Sequence, residues 1–447
     1  MHYFLYPTKD TFISNLPALV AKNVGLDELL EVEKRVSGQS CSSVSTINIL
    51  ESYTSSSIEL LDGLKSASFD SGSTDPRVVS SSYVLVSGPS TLGAVLSRAL
   101  LHFDFTMISQ SIVSGEIANP TFYLNLKICE SKEVPTRYAL AAYPVSQSWD
   151  MGTGYKYDGA SFSDGATWKF YDSNQSQKWW NTGSLTDCSG GGTWWIDSAT
   201  VVSGAGYSQV PNIGQYNSYP DCPVCNYEPP GSGSGIVSTG SYACFQYFDY
   251  QTSDVRMNVT PIVNAWLTQT IPNEGFILMH SDETSSVDYG ALKFFSKETN
   301  TIYSPYIDVC WCDATLDTGS ADPIQLRDAV VNMKNMSKEY KFGSIIRMDV
   351  AARKRYPVKT FTNKFSDYTA PYYMPSSSFY QIKDAESEET ILPYDDFTRL
   401  SCDSNGNYFM LDTSGLPSER YYKVEIRSEQ SGSIMTFSIP TTFKISR

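Results

Sequence analysis

From Phe122 to Cys129 apolar and polar side chains alternate without a break, with Phe122, Leu124, Leu126 and Ile128 on one face and Tyr123, Asn125 and Lys127 on the other. A period of two is the period of a strand, so this stretch predicts a β-strand with one buried face. Ser97–Phe105 (SRALLHFDF) reads the same way: Leu100, His102 and Asp104 alternate with Leu101, Phe103 and Phe105, and the turn-rich run SGPSTLG at 87–93 precedes them. Composition agrees. Charged residues are 18% of the chain, below the roughly 25% of an average domain, while aromatics reach 13% with 30 tyrosines. Rings of that kind suit half-buried sheet faces, where the hydroxyl keeps a polar partner. The expected fold is all-β.

At 447 residues the chain exceeds one ordinary core, so two or three domains are expected. Tyr3–Ser14 opens as a strand with a Pro-Thr turn. Residues 25–36 (GLDELLEVEKRV) fit either a short helix or a strand, and partial alternation continues through 47–61 and 78–86. Arg137–Pro144 is expected to pair with the strand at Phe122. Residues 146–250 then form a long insert of low periodicity, rich in Gly, Ser, Asp, Tyr and Trp. Its pairs Trp179–Trp180 and Trp194–Trp195 and its run EPPGSGSG predict surface loops held by aromatic staples. Asp254–Leu267 predicts a strand running into a helix that starts at Thr-Pro, with Ile262, Val263, Trp266 and Leu267 on one face. Phe276–Met279 predicts a buried strand. A linker is expected at 316–340. Short strands at regular spacing from 341 to 447, with turn signals Asn405-Gly406, Ser414-Gly415 and Ser431-Gly432, predict a smaller Ig-like β-sandwich.

Several classes are disfavoured. A net charge of −15 is the wrong sign for neutralising phosphate, so neither nucleic acid nor an anionic membrane is an expected partner. No run approaches the roughly 20 apolar residues of a span, and MHYFLYPTKDTF lacks the basic and apolar regions of a signal peptide. The chain is therefore expected to stay in the cytosol that makes it or to leave within a larger particle. Nine cysteines, an odd count, favour free thiols over a disulfide framework.

Five phrases occur in order: DTFIS, SRALLHFDF, VRMNVTPIVNAWL, NEGFILM and LKFFSKETNTIYSPYIDV. Together, over residues 1–315, they resemble the DNRLRE domain, a jelly-roll module of surface and phage-associated proteins. The family's Arg and Asp of the core strand are matched by Arg98 and Asp104, its helix residues by Thr260 and Trp266, and its closing hairpin by Lys297, Glu298 and Pro305. The resemblance implies an N-terminal jelly-roll β-sandwich with a long loop insert, in which these residues hold the scaffold. Arg98 and Asp104 are expected on the polar side of one strand, where charge pairing sets register.

Residues that could carry chemistry are few. Cys222 and Cys225 have metal-knuckle spacing, and with Cys188 and Cys244 they offer four thiolates for zinc; one pair and two singletons fit free loop thiols better than a regular zinc site. Asp150, Asp158 and Asp164 in a Gly-rich run could wrap calcium, or be solvated turn residues. The three histidines suggest no nucleophile–base pair, so no enzyme is expected. Trp149, Trp168, Trp179, Trp180, Trp194 and Trp195 could stack against a glycan, pack against a neighbouring subunit or, as the stronger reading, anchor loops to the core. The resulting expectation is a non-enzymatic bacteriophage virion protein of the neck, tail, baseplate, fibre or head decoration, working as a homo-oligomer among other virion proteins. The alternative is a carbohydrate-binding adhesin of host-surface glycan.

Overall fold

The alternating stretch at Phe122 is two strands, not one. β5 (Thr121–Leu126) pairs in one sheet and β6 (Ile128–Lys132) in another. The corner at Lys127 is held by Asp254, whose carboxylate accepts from the Ile128 N–H at 2.9 Å and from the Lys127 ammonium at 3.1 Å. Alternation reports a strand's faces and carries no mark of where the chain leaves one sheet for the next.

A computed structural model describes residues 1–16, 18–36, 94–157, 164–173, 178–180, 190–203, 242–249, 254–317, 323–357 and 372–447. The first sheet runs β1 (His2–Leu5), β16 (Tyr306–Cys310), β5 and β13 (Val255–Asn258). The second, larger sheet runs β12 (Cys244–Asp249), β7 (Arg137–Pro144), β14 (Phe276–His280), β4 (Val95–His102), β3 (Leu29–Arg35), β15 (Gly290–Phe295) and β6, and β2 (Lys9–Ser14) also pairs with β4. The two sheets enclose one apolar cluster, with Phe103, Phe122, Leu124, Met257, Leu278, Leu292 and Ile307 fully buried. The chain is all-β, and this half is the β-sandwich expected for it.

Two helices close the ends of that core. α1 (Thr106–Val113) follows β4 directly. α2 (Thr260–Leu267) carries Pro261 in its first turn, where the missing N–H costs nothing, and buries Ile262, Val263 and Trp266 as the periodicity predicts. The Thr260 hydroxyl accepts from the Phe122 N–H at 2.9 Å, and the Trp266 ring packs edge-on against Phe276. Removing that indole leaves a cavity between α2 and the sheets. Trp266→Ala is expected to cost about 3–5 kcal/mol, read as a lower denaturant midpoint with an unchanged slope.

Residues 29–35 settle as a strand, paired with both β4 and β15. Arg137–Pro144 does not pair with β5; β7 lies between β12 and β14. The stretches 47–61 and 78–86 lie outside the described residues, as does EPPGSGSG.

The insert is a lid on the larger sheet. It contains β8 (Phe170–Asp172) with β9 (Lys178–Trp179), β10 (Thr193–Trp195) with β11 (Val201–Ser203), and at its end β12, which is an integral edge strand of that sheet. Its side chains meet Ile13, Leu100, Tyr143, Phe245 and Ile277 on the face turned away from the first sheet. Around β14 the larger sheet is thus buried on both faces, which is why that strand reads FILMH with no exposed position. Asn23 pins the lid: its amide donates to the carbonyls of Met151 and Ala166, and its side-chain oxygen accepts from the N–H groups of Gly25 and Gly154.

The second sandwich is built from a sheet of β17 (Ala329–Lys334), β19 (Ile345–Lys354), β23 (Gly406–Asp412) and β22 (Ser401–Asp403). It faces a sheet of β18 (Glu339–Lys341), β25 (Ser433–Ser446), β24 (Tyr421–Gln430), β20 (Ser378–Asp384) and β21 (Thr390–Leu392). Residues 316–340 are therefore no linker where they are described. Ile324, Leu326, Ala329 and Val331 are core residues, because that segment supplies an edge strand whose alternate side chains the facing sheet covers. Asn405-Gly406 and Ser431-Gly432 make the expected hairpins, with positive φ at Gly406, Ser431 and Gly432. Ser414-Gly415 instead closes a 3-10 turn.

Candidate functional site

β1 is where the two sandwiches meet. Phe4 belongs to the second core and stacks on Tyr306 at 4.7 Å. The antiparallel register sets His2 opposite Cys310, and Asp308, two residues back along β16, shares the face of Cys310. The His2 Nδ1 lies 2.9 Å from Asp308 Oδ1 and 3.3 Å from Cys310 Sγ. On the other side of the ring, Nε2 lies 3.4 Å from Oδ2 of Asp395. That aspartate comes from the second sandwich, where its other oxygen accepts from Phe397 and Thr398 N–H groups as the cap of a 3-10 turn. Arg256 approaches Asp308 at 3.7 Å and lies over the Tyr123 ring.

The electrostatics follow from burial and pairing. Burial pulls the His2 imidazole down, but the Asp308 carboxylate and the neighbouring Cys310 outweigh it and hold the ring well above its ordinary value. Burial pushes Asp308 up and the His2 charge more than reverses this, leaving it below the usual carboxylate range. Burial, reinforced by Asp308, pushes the Cys310 thiol up to about 12. A thiol so far from ionising, and shut off from solvent, is no nucleophile. The N, O and S atoms of His2, Asp308 and Cys310 lie within 4.8 Å of one another, a grouping found nowhere else among the described residues.

A second cluster surrounds Arg98. The resemblance implies a polar strand face there, yet both faces of β4 are covered and Arg98 is fully buried. Its guanidinium makes a two-pronged pair with Glu283, one bond being Nε to Oε1 at 2.9 Å, and also donates to the Gly191 carbonyl. The rings of Trp168 and Trp194 flank it at 5.0 and 4.9 Å. One cation thus ties the sheet, the loop after β14 and the lid together. Asp104 lies beyond the strand, exposed, and accepts from the Thr106 N–H and hydroxyl at the start of α1. Lys297 and Glu298 pair at 3.1 Å, but the closing hairpin does not form: after β15 the chain crosses to the other sheet, where β16 pairs with β1 and β5, and Pro305 is buried just before it.

The tryptophans divide. Trp149, Trp168, Trp180 and Trp194 are buried in the cluster under the lid, so they anchor loops and offer no stacking surface. Trp179 is 40% exposed and Trp195 is half-buried. Of the four thiols considered for zinc, Cys188, Cys222 and Cys225 lie outside the described residues. Cys244 points into the first core, on the face of β12 away from the lid cluster, and that placement removes it from a loop-borne quartet. Asp158 is likewise outside the described residues; Asp150 is exposed, and Asp164 accepts from the Thr153 hydroxyl at 2.6 Å.

Beside β1 a cleft between the sandwiches is lined by Tyr6, Tyr303, Tyr306, Lys127, Glu389 and Arg420. Its volume is about 70 Å³, against the several hundred Å³ of an ordinary small-molecule site. Lys127 crosses it to Glu389 at 3.4 Å, so it reads as a polar joint between the two units.

No family model matches the chain, and no curated protein matches it. Among solved structures it is similar to a DUF4785 family protein from Legionella pneumophila, at 11% identity over 73% of this chain and 54% of that one, with a TM-score of 0.15. The chain thus spans about half the length of that protein, and the score is too low to carry a fold across. No helix among the described residues is long and apolar enough to cross a membrane.

Proposed function

We propose that this chain is a non-enzymatic structural protein of a bacteriophage virion, a DNRLRE-like jelly roll joined to an Ig-like sandwich, that assembles with further copies of itself and with other virion proteins. The observation that carries this reading is the edge of β25. Along 433–438 that strand pairs with β24 on one side and with no described strand on the other, and the ladder is broken by an irregularity before Thr442. Ile434 is 61% exposed, and Met435 and Phe437 are only partly covered. In a chain that is 18% charged, residues 431–443 carry no charged side chain. Natural edges are ordinarily guarded by lysine, proline or a bulge, and here the first guard is Pro440.

The occupant that fits is the same edge of a second copy. Antiparallel pairing about Thr436 sets Met435 against Phe437 and Ile434 against Ser438, with no like charges opposed, and the two-fold operation closes. The buried Arg98, His2 and tryptophan clusters support the same reading, since they stiffen the scaffold and leave outer surfaces for contact.

The test is the mass of the purified full chain by light scattering, with Ile434→Lys/Thr436→Lys as the variant. An oligomer is expected for the parent and a monomer for the variant, with melting temperatures within a few degrees of each other. A parent that stays monomeric at high concentration, or an oligomer untouched by the lysines, would sink the edge. Absence of the chain from purified particles whose genome encodes it would sink the virion role.

A further inference from the structure

We propose that His2, Asp308 and Cys310 bind a zinc ion that ties β1 to β16 beneath the second sandwich. Two atoms converge on one ring nitrogen: Asp308 Oδ1 at 2.9 Å and Cys310 Sγ at 3.3 Å from His2 Nδ1. Without metal, the imidazole proton at Nδ1 and the thiol proton of Cys310 hold the three side chains together, Cys310 also reaching the Asp308 carbonyl at 3.8 Å. A metal takes the place of both protons and draws on the same three atoms. Tetrahedral zinc with ordinary bond lengths separates nitrogen from oxygen by about 3.4 Å and nitrogen from sulfur by about 3.6 Å, and the observed separations need to open by no more than about half an ångström to meet them.

The far side of the ring gives an independent sign. Nε2 faces the Asp395 carboxylate at 3.4 Å, and both that nitrogen and the facing Oδ2 are buried with no hydrogen bond of their own. A metal-bound histidine usually turns its second N–H to a carboxylate, which fixes the tautomer. Asp395 stands where that partner belongs.

Charge closes as well. Zinc with the Asp308 carboxylate and the Cys310 thiolate is neutral, and Arg256 offsets Asp395. A mixed nitrogen, oxygen and sulfur set of this kind selects zinc over calcium or magnesium. The fourth position falls to a solvent ligand. Because the site is sealed, the ion enters as the sandwiches close, and binding is coupled to folding.

The test uses the full chain loaded with zinc, desalted and analysed for metal per chain, beside Cys310→Ala, His2→Gln and Cys222→Ser/Cys225→Ser. About one zinc is expected in the parent and in the double serine variant, and less than a tenth as much in the other two. Cobalt loading of the parent is expected to give a thiolate-to-metal absorption band that Cys310→Ala abolishes. If the single variants fail to fold, chelation of the parent is the second measurement: a lowered melting temperature restored by zinc supports the site. Folded parent without zinc overturns it and leaves a protonated His2 holding Asp308. Zinc that persists in Cys310→Ala but leaves with Cys222 and Cys225 places the ion in the insert and overturns it equally.

Discussion

Arg98→Leu is expected to cost about 3–5 kcal/mol of stability, the loss typical of stranding one member of a buried pair. Leucine fills part of the space between Trp168 and Trp194, yet Glu283 keeps a buried carboxylate with its guanidinium gone. Uncompensated charge, more than lost packing, sets the magnitude. A second substitution separates the two effects. With Glu283→Leu added, neither charge of the pair remains, and most of the loss is expected to return, since well-packed apolar replacements of buried pairs are often neutral. Urea unfolding of the three variants reads the coupling directly. A single variant within 1 kcal/mol of the parent would show that Glu283 finds water or another donor. Gly191 is the companion position, with φ of +88° and a Cβ that would fall 2.7 Å from the Arg98 guanidinium.

Asp10 is expected to make the fold less stable as pH rises. On β2 its Oδ2 accepts from the Lys297 N–H at 2.6 Å, while Oδ1 is buried with no partner. Burial raises its pKa to about 7, with Glu298 adding to the rise and the Lys297 N–H opposing it. A folded-state value above the unfolded 3.8 means that the group's contribution is whole below pH 4 and is lost as pH climbs through 7. Roughly three pH units at 1.36 kcal/mol each give about 4 kcal/mol between pH 4 and pH 8. Asp10→Asn isolates the aspartate. Chemical unfolding of both proteins from pH 4 to 8 is expected to show a shallower decline in the variant, the two curves parting most above pH 7. Parallel curves would show that Asp10 does not titrate in this range.

Periodicity made the strands legible and left their partners hidden. Phe276–Met279 and the Thr-Pro helix could be placed from spacing alone, because burial on a sheet or helix face imposes its period on the residues themselves. The corner at Lys127 could not, since it depends on Asp254, more than a hundred residues on. Arg98 was visible as a charge in a core strand. Its partner Glu283, in the loop DETSSVDYG, carries no local signal, and neither does the stacking by two tryptophans of the insert. The His2 cluster was hidden for a like reason: a histidine near the chain start, an aspartate and a cysteine become neighbours only through the β1–β16 register. The tryptophans drew attention by composition, which cannot tell an exposed ring from a buried one.

The pairing of β1 with β16 also governs how the chain comes off the ribosome. His2–Leu5 find their partners at Ile307–Cys310; at roughly 5–20 residues per second, translation takes on the order of 15 to 60 seconds to supply them. Through that interval Phe4 has neither the β16 ladder nor the second core to bury it, and the first sheet lacks one edge. The last strand of the first sandwich thus completes its first sheet, and Phe4 waits longer still, for the second core that follows.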